Sequence, residues 1–323
     1  MFFIQTPSPV FMALGIDVGG ANLKYSNERG EGEIIYLPIW KNIDLLESKL
    51  RDIKGNTDPD RVGAVITAEL SDVFKNKSEG VLFISSLLKK VFDEVFFLTV
   101  DGELLSSIDD PLRFSASNWV ASTLYLKKEY DNFLFVDIGS TTADFIPVRE
   151  KILAAKTDFE RIKRGELLYI GALRTPICYL ARDFYYPLAS EFFAIVADAF
   201  LLTGDISEEG YTVETPDGRG KSRRECMARL ARMFCADVEE VGEDLFRFAE
   251  WIKRLMVKTV SNAIQHQLRQ YELERVIGCG VGEFLIRRVM EELDVEYISL
   301  TERYGDASNF FPSFAIANLV TQE

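Results

Sequence analysis

Two short segments carry the parts that a phosphate-handling site needs. The first is Gly15-Ile16-Asp17-Val18-Gly19-Gly20-Ala21-Asn22-Leu23-Lys24. An apolar run ends in Asp17 and then in a glycine pair. Without side chains at Gly19 and Gly20, backbone N–H groups can approach phosphate oxygens. Asp17 is placed to hold a magnesium ion, or a water on it, beside such a phosphate. Lys24 would neutralise the remaining charge, and Asn22 adds a polar contact in the same turn. The plainer alternative is an ordinary hairpin with a surface aspartate.

The second segment, Phe135-Val136-Asp137-Ile138-Gly139-Ser140-Thr141-Thr142-Ala143-Asp144, offers the same parts again. Asp137 stands at a strand end as a candidate catalytic and metal-binding carboxylate. Gly139 opens the turn, and Ser140, Thr141 and Thr142 supply hydroxyls that donate to anionic oxygens. Asp144, on the returning strand, is a candidate base or second carboxylate around the metal. Its alternative is a charged strand residue facing solvent. A third run, Val276-Ile277-Gly278-Cys279-Gly280-Val281-Gly282-Glu283, passes through a glycine-rich turn into a helix. Such a helix start binds anions or lets a flat ring lie on bare backbone; simple close packing is the alternative for Gly278, Gly280 and Gly282.

Two more acids stand out. Glu69 follows a strand that ends near Thr67, so it can reach the same site; an acid favoured by a helix N-terminus is the competing explanation. Asp198 lies on an otherwise apolar stretch, Ala194 to Leu202, where a charge must be paired or functional. It is a candidate metal ligand. Asn118 and Trp119 are candidates to line a ring pocket, with the core the favoured place for Trp119.

The elements that position these residues follow from hydrophobic period and turn chemistry. Strands are predicted at Leu14–Val18, Asn22–Ser26 and Glu33–Leu37, then a helix at Ile43–Ile53, a strand at Val62–Thr67, a helix at Glu79–Val91, a strand at Val95–Val100 and a long helix at Ser115–Tyr130. The pattern then restarts. Strands are predicted at Phe133–Ile138, Ala143–Val148 and Ile152–Ala155, followed by helices at about Arg174–Asp183 and Phe192–Leu202. The polar, glycine-rich stretch Gly204–Lys221 reads as a mobile loop. Helices at Arg223–Cys235 and Val241–Gln270, a strand at Glu274–Cys279, a helix at Glu283–Leu293, a strand at Val295–Ser299 and a final helix at Asn309–Val320 complete the chain. A strand–glycine turn–strand–strand unit opens each half, and alternating helices and strands follow, which predicts duplicated α/β layers. The expected domains are 12–130 and 131–323, with a helical insertion at about 174–270, a cleft between the halves and the last helix returning to the first domain.

Composition narrows the function classes. The 323 residues suffice for two cores. A formal net charge of −14 argues against nucleic acid or anionic membrane as the main partner. It does not argue against a small anion held by local N–H groups, a lysine and a metal. The four cysteines form no CxxC pair or zinc spacing, so free thiols in a reducing, cytoplasmic setting are expected. The single His266 cannot supply a multi-histidine metal site. Residues 1–11 lack a basic n-region and a long apolar run, so they read as a flexible extension or an upstream start rather than a signal peptide. No stretch reaches the roughly 20 apolar residues of a membrane span.

Two Asp-x-Gly hairpin turns one domain apart, followed by the glycine-rich strand-to-helix turn, resemble the actin/Hsp70/sugar-kinase superfamily. That resemblance implies two ribonuclease-H-like domains with a central cleft, holding a phosphorylated ligand and a divalent metal. Residues 15–24 are similar to the opening of ROK sugar kinases, but the zinc motif and the Asn-Asp pair of those enzymes are absent. Residues 137–144 are closer to the hydantoinase/oxoprolinase branch. Closer still is a related family of archaea and methylotrophs, linked to one-carbon transfer and methanofuran synthesis. The matching pieces are residues 15–24, Thr67-Ala68-Glu69-Leu70-Ser71-Asp72-Val73-Phe74, Ala116-Ser117-Asn118-Trp119, residues 137–144 and Arg229-Leu230-Ala231-Arg232-Met233.

The resemblance implies a condensation. An aminomethylfuran-methyl diphosphate loses pyrophosphate, and the phenol of γ-glutamyltyramine takes its place as an aryl ether. Magnesium is the implied cofactor and ATP is not expected. The implied partners are the two small-molecule substrates, with oligomeric state open. Asp137, Asp144 and Glu69 are candidates for the base, and the sequence does not rank them. Three other readings compete: an ATP-dependent small-molecule kinase, a nucleotide-binding protein without turnover, and a hydantoinase-like hydrolase.

Overall fold

A computed structural model describes residues 12–322; the expectation for residues 1–11 lies outside the described residues. The chain divides into two compact units. One comprises the residues up to Tyr130 together with those from Phe310, and the other comprises Asp131–Asn309.

The first unit is built on a six-stranded sheet in the order β3-β2-β1-β4-β5-β6. The strands are β1 (Ala13–Gly19), β2 (Asn22–Asn27), β3 (Gly32–Tyr36), β4 (Arg61–Thr67), β5 (Val95–Leu98) and β6 (Leu104–Leu105). β1, β2 and β3 form the predicted antiparallel meander, while β4 joins β1 in parallel and β5 joins β4 in parallel. β1 is buried on both faces, as a central strand covered on both sides should be. On one side lie the helices Leu46–Thr57 and Lys77–Val91, whose Leu50, Ile84 and Leu88 join Leu14, Ile16 and Val62 in one core cluster. The last helix, Phe311–Val320, packs on β1 and β4. It lies unusually close because Gly15 and Gly63 face each other in register. A Cβ at Gly15 would stand 1.8 Å from the Ser313 carbonyl oxygen, and one at Gly63 2.8 Å from the Ile316 side chain. Gly15 is therefore explained by helix packing and not by a ligand.

The second unit repeats the plan with five strands ordered β11-β10-β7-β8-β9. They are β7 (Phe133–Ile138), β8 (Ala143–Val148), β9 (Leu167–Leu168), β10 (Arg275–Cys279) and β11 (Glu296–Ser299). β8 runs antiparallel to β7, whereas β10 and β11 are parallel to it. Each sheet thus carries a hairpin on one flank and parallel strands on the other, the duplicated ribonuclease-H-like arrangement that the sequence predicts.

Three predicted elements change. Ile152–Ala155 is not the third strand; Ile152 makes only an isolated bridge to Val148, and β9 pairs with β8 instead. Pro147 has no N–H to give a neighbouring strand, which weakens that edge of β8. The helix expected at Arg174–Asp183 shrinks to Ile177–Leu180 after Pro176. The long helix expected at Ser115–Tyr130 is shorter, Asn118–Leu126, because Ala116 adopts a left-handed φ of 52°. The 28-residue helix Asp244–Tyr271 buries a stripe that includes Phe248, Ile252, Met256, Val260 and Ile264. These positions follow the i, i+4, i+8 rhythm of one helix face.

Among the described residues no helix is long and apolar enough to cross a membrane. The four cysteines are free thiols.

Candidate functional site

In the first unit the chemistry gathers at the C-terminal ends of β1 and β4. The two strands run in parallel register, Asp17 opposite Val65 and Gly19 opposite Thr67. That pairing brings the Thr67 hydroxyl to 3.0 Å from Asp17 Oδ1, to which it donates. Across the hairpin, Lys24 is the register partner of Asp17, and its ammonium stands 3.6 Å from Oδ2. Asp17 is buried, so a positive charge and a hydroxyl at this range are what make its ionised form tolerable. Thr67 was not among the sequence candidates. The signal for it was present: a hydroxyl residue at the end of the strand adjoining the Asp17 strand.

The glycine pair divides in role. At Gly19 a Cβ would stand 2.8 Å from the Asn22 carbonyl oxygen, so the hairpin itself requires glycine. At Gly20 the nearest atom would be Ser71 Oγ at 3.5 Å, an ordinary contact. Asn22 is buried in the same turn.

The loop after β4 continues the site. Glu69 is 2% exposed and accepts from Ser115 Oγ at 2.5 Å. Ser115 is brought there by a parallel bridge to Ile66, and Ala116 N–H donates to the Ile66 carbonyl at 2.8 Å. Gly80, in the first turns of the helix Lys77–Val91, backs against the Glu69 backbone, 2.7 Å from where a Cβ would stand. Asn118 is half-buried at the start of its helix, and Trp119 is buried in the core. The structure therefore brings Asp17, Lys24, Gly19, Gly20, Asn22 and Glu69 to one edge of the sheet, with Thr67, Ser71 and Ser115 among them.

In the second unit Asp137 ends β7 half-buried, with the Gly139–Thr142 turn beyond it. Gly139 N–H donates to the Thr142 carbonyl at 2.9 Å, closing the turn. As at Gly20, a Cβ at Gly139 would meet nothing closer than 3.5 Å. Ser140 and Thr141 sit at the tip with their hydroxyls 3.4 Å apart. The Ser140 carbonyl accepts from the N–H groups of Leu173 and Arg174 at 3.2 and 2.9 Å, and Gly171 packs against the Ser140–Thr141 peptide.

The third glycine run is placed against Asp137. Cys279 is its register partner on β10, and a Cβ at Gly280 would stand 2.4 Å from Asp137 Oδ1. Gly280 also has a φ of 93°, which favours glycine. Gly282 donates its N–H to the Ile138 carbonyl at 2.8 Å, and a Cβ there would strike the Ile138 side chain. Gly278 abuts Tyr297. Close packing accounts for all three. Glu283, just beyond, is buried and accepts from Tyr297, Ser299 and Thr301.

Two acids leave the list of candidates. Asp144 is the register partner of Asp137, but its carboxylate is ion-paired with Arg161, itself 1% exposed. A carboxylate neutralised by a buried guanidinium is a structural group rather than a base or a metal ligand. Asp198 is wholly buried in the helix Val196–Thr203, and its partners are all protein groups. Oδ1 accepts from Arg229 Nε at 2.8 Å and Tyr211 Oη at 3.0 Å, and Oδ2 from the Ile195 N–H at 3.0 Å. Burial pushes the Asp198 carboxyl up while Arg229 pulls it down, and Arg229 in turn is raised. Asp198 therefore anchors a helix and is not a metal ligand. The same guanidinium reaches the Gly220 carbonyl at 3.0 Å and Asp217 at 3.2 Å. These bonds tie down the stretch Gly204–Lys221 that the sequence predicts to be mobile.

Among the described residues no group of three or more His, Cys, Asp and Glu forms a ready metal cage. Magnesium does not require one, since it keeps several waters and takes one or two carboxylates plus phosphate oxygens. Asp17 in the first unit and Asp137 in the second are each a strand-end carboxylate of that kind.

A hydantoinase/oxoprolinase family model matches residues 60–323. The chain is 39% identical over 328 aligned residues to the (4-{4-[2-(gamma-L-glutamylamino)ethyl]phenoxymethyl}furan-2-yl)methanamine synthase of Methanocaldococcus jannaschii, covering 97% of this chain and 98% of that one. It is 33% identical to the enzyme of the same name from Methanococcus vannielii, over 59% of this chain and 92% of that one. Among solved structures, a ROK family glucokinase from Streptomyces griseus, in complex with glucose and AMPPNP, superposes with a TM-score of 0.50 at 11% identity. That alignment covers 97% of this chain and 100% of the glucokinase, a likeness of fold alone.

Proposed function

The chain belongs to the hydantoinase/oxoprolinase family, within its methanofuran-pathway synthases, and from that premise we propose that it joins an aminomethylfuran-methyl diphosphate to the phenol of γ-glutamyltyramine. The observation that carries this reading is the edge around Asp17. A buried carboxylate flanked by Lys24 and Thr67 adjoins a turn in which the Ser71 hydroxyl is the nearest atom to where a Cβ at Gly20 would stand, at 3.5 Å.

The chemistry asks for such an edge. Breaking the furan-methyl C–O bond leaves positive charge on carbon, which the furan ring spreads, and expels a highly charged diphosphate. Groups that stabilise the departing charge lower the barrier most. Lys24 and the N–H groups of the Gly19-Gly20 turn supply them in the first unit. The Gly139–Thr142 turn of the second unit carries a like set of N–H and hydroxyl groups. The phenol oxygen then forms the new C–O bond and its proton passes to a carboxylate. With Asp144 held by Arg161, Glu69 and Asp137 remain for that task. Magnesium on a strand-end carboxylate such as Asp17 would neutralise charge on the diphosphate. The reaction needs no ATP.

Incubation with the furan diphosphate and γ-glutamyltyramine tests the proposal. Pyrophosphate and the aryl ether should appear together without ATP, read by phosphate assay and mass spectrometry. Phosphorylation of a hydroxyl acceptor that occurs only with ATP would make the chain a kinase, and ligand binding without turnover would make it a binding protein.

A further inference from the structure

Ser117 caps the helix Asn118–Leu126, yet its side chain makes no capping hydrogen bond. Its hydroxyl is wholly buried and has no hydrogen-bond partner among the described residues. A buried hydroxyl without a partner is costly, and an alanine would fill the position without that cost. The neighbouring serine does not relieve it, because Ser115 donates to Glu69.

The backbone around Ser117 is held in place. Ala116 sits at a φ of 52°, where a residue with a side chain is strained, and its N–H bond to Ile66 fixes it against the end of β4. The helix that follows has nine residues and no acidic side chain in its first turn. The positive end of its dipole is therefore met by no acid of its own first turn. Ala116, just before this end, bonds Ile66, the chain neighbour of the Thr67 that bonds Asp17.

We infer that the N-terminus of the helix Asn118–Leu126 binds an anionic oxygen of a substrate, with the Ser117 hydroxyl as its donor. The inference rests on the proposed function only for the choice of probes. The oxygen belongs either to the phenolate of the acceptor or to the diphosphate, and the two are separable by measurement.

Wild type and Ser117→Ala are titrated calorimetrically with γ-glutamyltyramine and, separately, with inorganic pyrophosphate. One of the two ligands should lose about tenfold or more in affinity in the variant, as expected for a hydrogen bond to a charged oxygen. Loss for γ-glutamyltyramine places the acceptor there, and loss for pyrophosphate places the diphosphate. The thermal midpoint of Ser117→Ala should stay level or rise, because no protein bond is removed. Equal affinities for both ligands in the two proteins would overturn the inference, as would a fall in the midpoint, which would mean the hydroxyl is paired by a buried water. Wild type that binds neither probe overturns it too. If the wild type makes the ether and Ser117→Ala is unaffected, the inference fails alone. If no ether forms but pyrophosphate affinity depends on Ser117, the proposed function fails alone.

Discussion

The Thr67 hydroxyl donates to Asp17 Oδ1 over 3.0 Å, joining the ends of two neighbouring parallel strands through their side chains. With Lys24 on the other oxygen, this bond fixes which way the Asp17 carboxylate presents itself. Thr67→Val should lower kcat about tenfold, the effect of losing roughly 1.4 kcal/mol of transition-state stabilisation. Thr67→Ser, which keeps the hydroxyl, should stay near wild type. Asp17→Asn and Asp137→Asn should each cut turnover by at least about tenfold. Steady-state kinetics checks all four; equal activity in Thr67→Val and Thr67→Ser would remove the positioning role.

Glycines in this chain answer to two different demands, and alanine separates them. Gly20 and Gly139 have room for a methyl group, so Gly20→Ala and Gly139→Ala should leave the thermal midpoint unchanged or slightly raised. If their bare backbone serves an anion, pyrophosphate affinity should fall about tenfold in each. Gly15→Ala should behave in the opposite way, because its Cβ would collide with the Ser313 carbonyl and lift the last helix from the sheet. Calorimetry and thermal unfolding on the three variants decide the matter; a loss of stability in Gly20→Ala with unchanged affinity would contradict it.

Asp144 and Arg161 form a buried pair, and removing one partner strands the other. Arg161→Met should destabilise by about 3–5 kcal/mol, whereas the double variant Asp144→Asn/Arg161→Met should recover part of that loss. Urea unfolding reports both. Asp144→Asn that kept wild-type stability while abolishing turnover would return Asp144 to the list of catalytic groups.

Asp217 links the loop before the helix Arg223–Arg232 to the buried Arg229. Partial burial pushes its carboxyl up, but the Arg219 N–H, Arg229 and Arg232 outweigh it and hold the group below the ordinary 3.8. A depressed carboxyl contributes stability that is present above the unfolded-state value and is lost as pH falls through the folded-state value. Asp217→Asn should therefore lower the urea midpoint at neutral pH, by a loss of about 1 kcal/mol. The difference from wild type should shrink below the ordinary carboxyl range, where both proteins are neutral at this position. A gap that persisted in acid would mean that packing, and not charge, holds the loop.

Much of this was legible in the residues alone. The two hairpin openings announce themselves because an apolar run, an acid and glycines lie within a few positions of one another, and a hairpin is decided locally. The long helix Asp244–Tyr271 is legible for the same reason, through its repeating apolar face. The third strand of the second meander was misplaced because strand pairing depends on which edge of β8 is free to bond, and Pro147 spoils the local choice. The glycines at 278, 280 and 282 were candidates to face a ligand, although each is demanded by a neighbouring segment.

The sequence by itself determined the duplicated architecture, the family and the two aspartate-tipped turns, since these rest on patterns confined to short stretches of chain. Only the tertiary structure decided which partners each acid meets. Asp198 meets Arg229 from 31 residues away, Glu69 meets Ser115 from 46 and Asp17 meets Thr67 from 50. A carboxylate becomes an anchor or a reacting group according to the charges and donors that folding brings to it. Chain spacing does not encode those partners, because they arrive on separate strands and helices.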